Sequence, residues 1–206
     1  MLSAFIATSS SAEEKKEPFL LAFTNSVATT AGIGLLKETP LPPGNSEIRI
    51  WIGFGIVTPD EMLRIQVNSH GEVTGDVLVY FPSEFRSMKS REEKRFLRSI
   101  LRNCTNLHEG TEKDVCTAKF KSTPDWTALY KELNHLGITI LPDESELPKP
   151  DSVVFDGVSM VVEVRNGLNY RAYEYSNPAF RSEPEAKIAA QIMKLVADSL
   201  REKRGT

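Results

Sequence analysis

Apolar residues fall at every second position of Glu47 to Val57, EIRIWIGFGIV, where Ile48, Ile50, Ile52 and Phe54 point to one side. That period belongs to a strand, and Gly53 and Gly55 leave room for a bend or a close approach. Thr58-Pro59-Asp60 turns the chain into Met62 to Val67, and Asn68-Ser69-His70-Gly71 turns it again into Val73 to Phe81. The pattern predicts a three-stranded antiparallel meander. Upstream, PLPPGNS at 40 to 46 is a breaker, so the ordered body is expected to start there, with a strand somewhere in Phe19 to Thr30.

Beyond Phe81 the period lengthens. Ser90 and Glu93 form a capping box, and Phe96, Leu97, Ile100 and Leu101 at helical spacing predict an amphipathic helix over 91–102. A second helix is expected over 124–136, from Pro124 at the first turn through Trp126, Leu129, Tyr130, Leu133 and Leu136 to Gly137. It feeds a strand at Ile138 to Leu141 and then PDESELPKP, an acidic, Pro-rich surface loop. Ser152 to Phe155, Val158 to Val164 and Tyr170 to Tyr175, separated by Asp156-Gly157 and Asn166-Gly167, predict a second meander. Ser182 to Glu185 caps a last helix, whose Ile188, Ile192, Leu195, Val196 and Leu200 dock one face while Arg201 to Arg204 suit its C-terminal end.

Strands grouped by tight turns imply an α+β class, antiparallel β-meanders packed against amphipathic helices. Residues 1–46 are expected as an N-terminal segment, a signal remnant and linker, ahead of a single domain over 47–206. Within that domain, 47–103 and 123–201 form two candidate meander-plus-helix halves.

The second meander carries the row Glu163, Arg171, Tyr173 and Tyr175. A two-residue Asn166-Gly167 turn sets Glu163 opposite Tyr170, so that Arg171, Tyr173 and Tyr175 share a face with Val158, Met160 and Val162 and the tyrosine hydroxyls seek partners at the rim. A three-residue loop instead sets Glu163 opposite Arg171 as a cross-strand ion pair. Arginine and tyrosine suit a groove for a planar or anionic ligand, or a protein interface. Aromatic residues are also ordinary strand formers, so a structural sheet face weighs against the site.

Cys104 and Cys116 bracket a polar, Gly-containing loop in RNCTNLHEGTEKDVCTAKF, a spacing that suits a disulfide, with two free thiols as the alternative. His108 alone nearby supplies too few ligands for zinc, so no metal is expected. Asn103-Cys104-Thr105 is a glycosylation sequon, relevant only in a eukaryotic secretory pathway. The start, MLSAFIATSSSAEEKK, has a short apolar run and small residues but no basic region, and reads as the tail of a signal peptide or a frayed start.

At 206 residues with 40% hydrophobic content the chain can bury an ordinary core. Its 25 basic residues nearly balance 28 acidic ones, so no overall field favours nucleic acid, and no run is apolar enough for stable membrane insertion. The basic side chains of 91–102 are interrupted by Glu92 and Glu93 and read as a solvated helix face. There is no GxSxG, P-loop, GxGxxG or HExxH, and Ala31 to Gly34 is too short and apolar to hold phosphate, so no cofactor is expected. His70, His108 and His135 are scattered, and Asp143, Glu144 and Glu146 are expected in a solvated loop.

Four stretches, RIWIGFGIVTPDEMLRIQVNSHGEVTGDVLVYF, PDWTALYKELNHLGITILPD, DGVSMVVEVRNGLNYRAYEYSNP and EAKIAAQIMKLV, resemble a group of uncharacterised exported bacterial proteins. The resemblance implies export and no reaction. The expectation is a periplasmic or extracellular, non-catalytic protein that binds a protein or small-molecule ligand through Arg171, Tyr173, Tyr175 and Glu163. The alternatives are a hydrolase of unfamiliar type, built on Glu163 and Arg171 with an adjacent His, and an intracellular, cytoplasmic adaptor.

Overall fold

The computed structural model describes residues 18–54, 59–87, 89–149 and 157–204. Helix α1 (Leu21–Thr30) precedes strands β1 (Ser46–Gly53), β2 (Asp60–Val67) and β3 (Val73–Pro82), which form the expected meander. Helix α2 (Arg91–Arg102) leads into β4 (Cys104–His108) and β5 (Lys113–Ala118), and helix α3 (Trp126–His135) follows. Strands β6 (Ser159–Asn166) and β7 (Asn169–Ser176) and the long helix α4 (Pro184–Arg204) complete the order. The seven strands of the described residues lie in one antiparallel sheet, ordered β4-β5-β3-β2-β1-β6-β7, so the fold is α+β.

Alternation along each strand gives the sheet two covered faces. Ile48, Ile50, Leu63, Ile65, Val77, Val79, Met160 and Val162 point toward α2, α3 and α4 and form the larger core. The helices approach closely where side chains are small; the Trp126 ring lies against Gly75, where a Cβ would stand 2.7 Å from a ring carbon. Trp51, Met62, Tyr80, Val115 and Val161 point the other way, under Leu21, Val27 and Ala28 of α1.

The segment expected as a strand within Phe19 to Thr30 is therefore a helix. Its buried Leu21, Thr24, Val27 and Ala28 recur at helical spacing, and burial against the sheet overrides the strand preference of its threonines and valine. The ordered body accordingly begins before PLPPGNS. Strand β1 stops at Gly53 because Gly53 and Phe54 both have positive φ, 141° and 63°; residues 55–57 of the predicted strand, like Ser152 to Phe155 and the expected signal remnant, lie outside the described residues.

The loop expected between the cysteines is instead the β4–β5 hairpin, which adds two strands to the sheet. The Cys104–Cys116 disulfide is formed across it, with Cα atoms 5.6 Å apart. Its first strand is short and polar, and its register is irregular at Thr105 to His108, which hid the strand period from the sequence.

Candidate functional site

The β6–β7 hairpin turns at Gly167-Leu168, with Asn166 paired to Asn169 and Gly167 at a φ of 56°. Neither expected register occurs. A glycine with positive φ fits the first central position of a two-residue hairpin turn, which moves the turn one residue along the chain. Glu163 consequently faces Ala172, while Val164, Val162 and Met160 face Arg171, Tyr173 and Tyr175. The displacement from the first expected register is two residues, so side-chain parity is kept and the three β7 residues share the face that register assigned them.

The four residues of the predicted row do not line one groove. Tyr173 and Tyr175 are both fully buried in the larger core. Tyr173 Oη donates to the Ile138 carbonyl at 2.7 Å, and Tyr175 Oη donates to the Pro142 carbonyl at 3.0 Å. Arg171 reaches the same segment, donating from Nη1 to the Thr139 carbonyl at 2.7 Å and from Nη2 to the Leu141 carbonyl, and its guanidinium lies 5.3 Å from the Tyr173 ring centre. These side chains take up carbonyls that a strand partner would otherwise use. The predicted strand Ile138 to Leu141 is for that reason an irregular turn held down onto β7.

The acidic loop that follows is less solvated than its composition suggests. Asp143 is buried and accepts from the Glu174 amide at 2.9 Å, while Glu144 accepts from the Ser176 amide at 2.7 Å. Two carboxylates thus stand where a neighbouring strand's carbonyls would stand and blunt this edge of the sheet. Arg181 adds an ion pair to Glu144 at 3.2 Å.

Glu163 sits on the opposite face, 2% exposed, in a polar cluster beneath the N-terminal segment. It accepts from Trp51 Nε1 at 2.8 Å and from Tyr170 Oη at 3.1 Å, and burial raises its carboxyl above the usual range. Beside it Arg49 pairs with Glu47 at 2.7 Å and donates to the Gly34 carbonyl, and Arg165 donates to the Lys37 carbonyl at 3.1 Å. The arginines fasten residues 34–37 onto the sheet. This cluster left no motif in the sequence; its only sign was charge at 47, 49, 163 and 165, on the alternate positions of two otherwise apolar strands.

A cleft of about 460 Å³ opens to solvent where α3 meets the hairpin end of β6 and β7. Tyr130 and Asn134 line it from α3, and Asn166, Asn169, Tyr170 and Arg171 from the hairpin. Arg171 is the member of the predicted row that reaches it. Three amides can each donate and accept, the Tyr130 ring offers an apolar wall with a polar tip, and the one cation is already engaged with two carbonyls, while Tyr170, at the rim, sends its phenol to Glu163 on the opposite face of the sheet. The signal that could have found it was the Asn-rich turn RNGLNY, read in the sequence only as turn chemistry.

His70, His108 and His135 are exposed at a turn, on β4 and at the end of α3. Among the described residues no group of three His, Cys, Asp or Glu side chains gathers around a metal position, and no helix is long and apolar enough to cross a membrane. The chain matches no protein-family model and no curated protein sequence, so its functional reading rests on this geometry.

Proposed function

We propose that the protein is a binding protein of the periplasm or extracellular space, and that its cleft takes a small, neutral, hydroxyl-rich ligand such as a mono- or disaccharide. The observation that carries this is the convergence of Asn134, Asn166 and Asn169 with Tyr130 around one opening. Hydroxyl groups are both donors and acceptors, as primary amides are, and the C–H face of a sugar ring packs on a phenol ring such as that of Tyr130. A charged ligand would be served less well, because the Arg171 guanidinium already donates to Thr139 and Leu141.

The disulfide supports a location outside the reducing cytoplasm and weighs against the adaptor reading. Glu163 and Arg171 lie on opposite faces of the sheet, which gives the hydrolase reading no shared site. A thermal-shift screen against neutral saccharides and polyols tests the proposal. One or more should raise the melting temperature of the wild type, and Asn134→Ala with Asn169→Ala should remove the rise. No shift with any of these compounds, or a shift that survives both substitutions, contradicts it.

A further inference from the structure

The near balance of charge over the whole chain conceals one concentrated stripe. Arg91, Arg95, Arg98 and Arg102 follow one another at intervals of four, three and four residues on α2. At 3.6 residues per turn these positions fall within about 60° of arc, along about 17 Å of helix. The arc is centred opposite Ile100, the residue that α2 buries, so all four side chains project away from the molecule, and all four are exposed.

These arginines differ from the others that the structure describes. Arg49 and Arg64 pair with carboxylates, Arg171 binds carbonyls, and Arg181 bridges Glu144 and Glu183. Among the described residues none of the four on α2 is ion-paired; Arg98 Nε reaches only the Lys94 carbonyl one turn away. The carboxylate beside the stripe, Glu92, forms no ion pair with any of the four among the described residues, and Glu93, on the far side of the helix, is committed to the capping box with Ser90. The helix is also fixed at both ends, by that box and by the Cys104–Cys116 disulfide that begins two residues after Arg102.

We propose that this ridge is a peripheral docking surface for a bilayer carrying anionic phospholipid, bound without insertion. A straight stripe on one helix face brings all four positive charges to a flat anionic surface at once, so charge is what the surface reads. No amide or aromatic side chain stands among the four to read or stack on a base, which favours a lipid surface over nucleic acid.

Each basic residue at an anionic surface strengthens partition by about fivefold, so the four together contribute several hundredfold, lost on raising salt. The test is co-sedimentation of the full chain with vesicles of phosphatidylcholine plus phosphatidylglycerol and with vesicles of phosphatidylcholine alone. The wild type should bind only the anionic vesicles, and the fourfold Arg→Gln variant should bind several hundredfold more weakly. The fourfold Arg→Lys variant, which keeps the charge, should retain binding to within a few-fold. Equal behaviour of the wild type and the Gln variant would overturn the proposal, as would loss of binding in the Lys variant. Duplex DNA or polyglutamate displacing the protein's vesicle binding at equal charge concentration would overturn it in favour of that class of partner.

Discussion

Tyr173 and Ile138 are joined by a 2.7 Å hydrogen bond from a buried phenol to a backbone carbonyl 35 residues earlier in the chain. Arg171 and Tyr175 make the same kind of bond to Thr139, Leu141 and Pro142, so one face of β7 holds the whole turn that leaves α3. That turn carries Thr139 of the cleft, which ties the binding surface to the rigid sheet.

Tyr173→Phe removes the donor and leaves the Ile138 carbonyl buried without it. The expected loss is about 1–3 kcal/mol in urea unfolding, the desolvation cost of an unpaired buried acceptor. Unchanged stability would mean that the turn is held by its apolar contacts alone.

On the other face, Arg49 is 3% exposed and balances Glu47, with Glu163 close by. Arg49→Met should cost about 3–5 kcal/mol, because it leaves buried carboxylates uncompensated. Adding Glu47→Leu should recover much of that loss, which a double-mutant cycle at neutral pH measures.

Asp60 supplies a pH dependence with a definite sign. Burial pushes its carboxyl from an ordinary value of 3.8 up to about 6, against the pull of Lys113 and of the Phe54 amide. A raised acid pKa means that the native state resists the charged form. Its stability is therefore undiminished below pH 4, falls as pH rises toward about 6, and stays lower above that, by about 3 kcal/mol for this group. Asp60→Asn should match the wild type at the acid end and exceed it at neutral pH. A constant difference across the range would contradict the assignment.

The disulfide closes a short loop, its cysteines separated by 12 positions in sequence. Replacing both cysteines by alanine should cost about 3 kcal/mol in the chain-entropy description. Hydrogen exchange should speed up first in β4 and the last turn of α2, the elements that it ties to β5.

The sequence disclosed the elements that have one strong period. The alternation of Ile48, Ile50 and Ile52 and the helical stripe of Leu129 and Leu133 both survive in the structure because their apolar faces are the core. It concealed those whose form is set by distant partners. Ile138 to Leu141 has a strand's composition, but Tyr173 and Arg171 take its carbonyls. Cys104 to His108 has a loop's composition, yet becomes a strand by pairing with β5. The cleft was half visible: its Asn-rich turn could be read from sequence, but the approach of Tyr130 and Asn134 depends on how α3 lies across the sheet.

The claim that this cleft binds a neutral, hydroxylated ligand is tested most directly by NMR of ¹⁵N-labelled protein titrated with a mixture of neutral mono- and disaccharides. The side-chain amide resonances of Asn134, Asn166 and Asn169 should shift together and saturate. Resonances that stay in place throughout the titration, or that move only at residues remote from α3 and the β6–β7 turn, would contradict it.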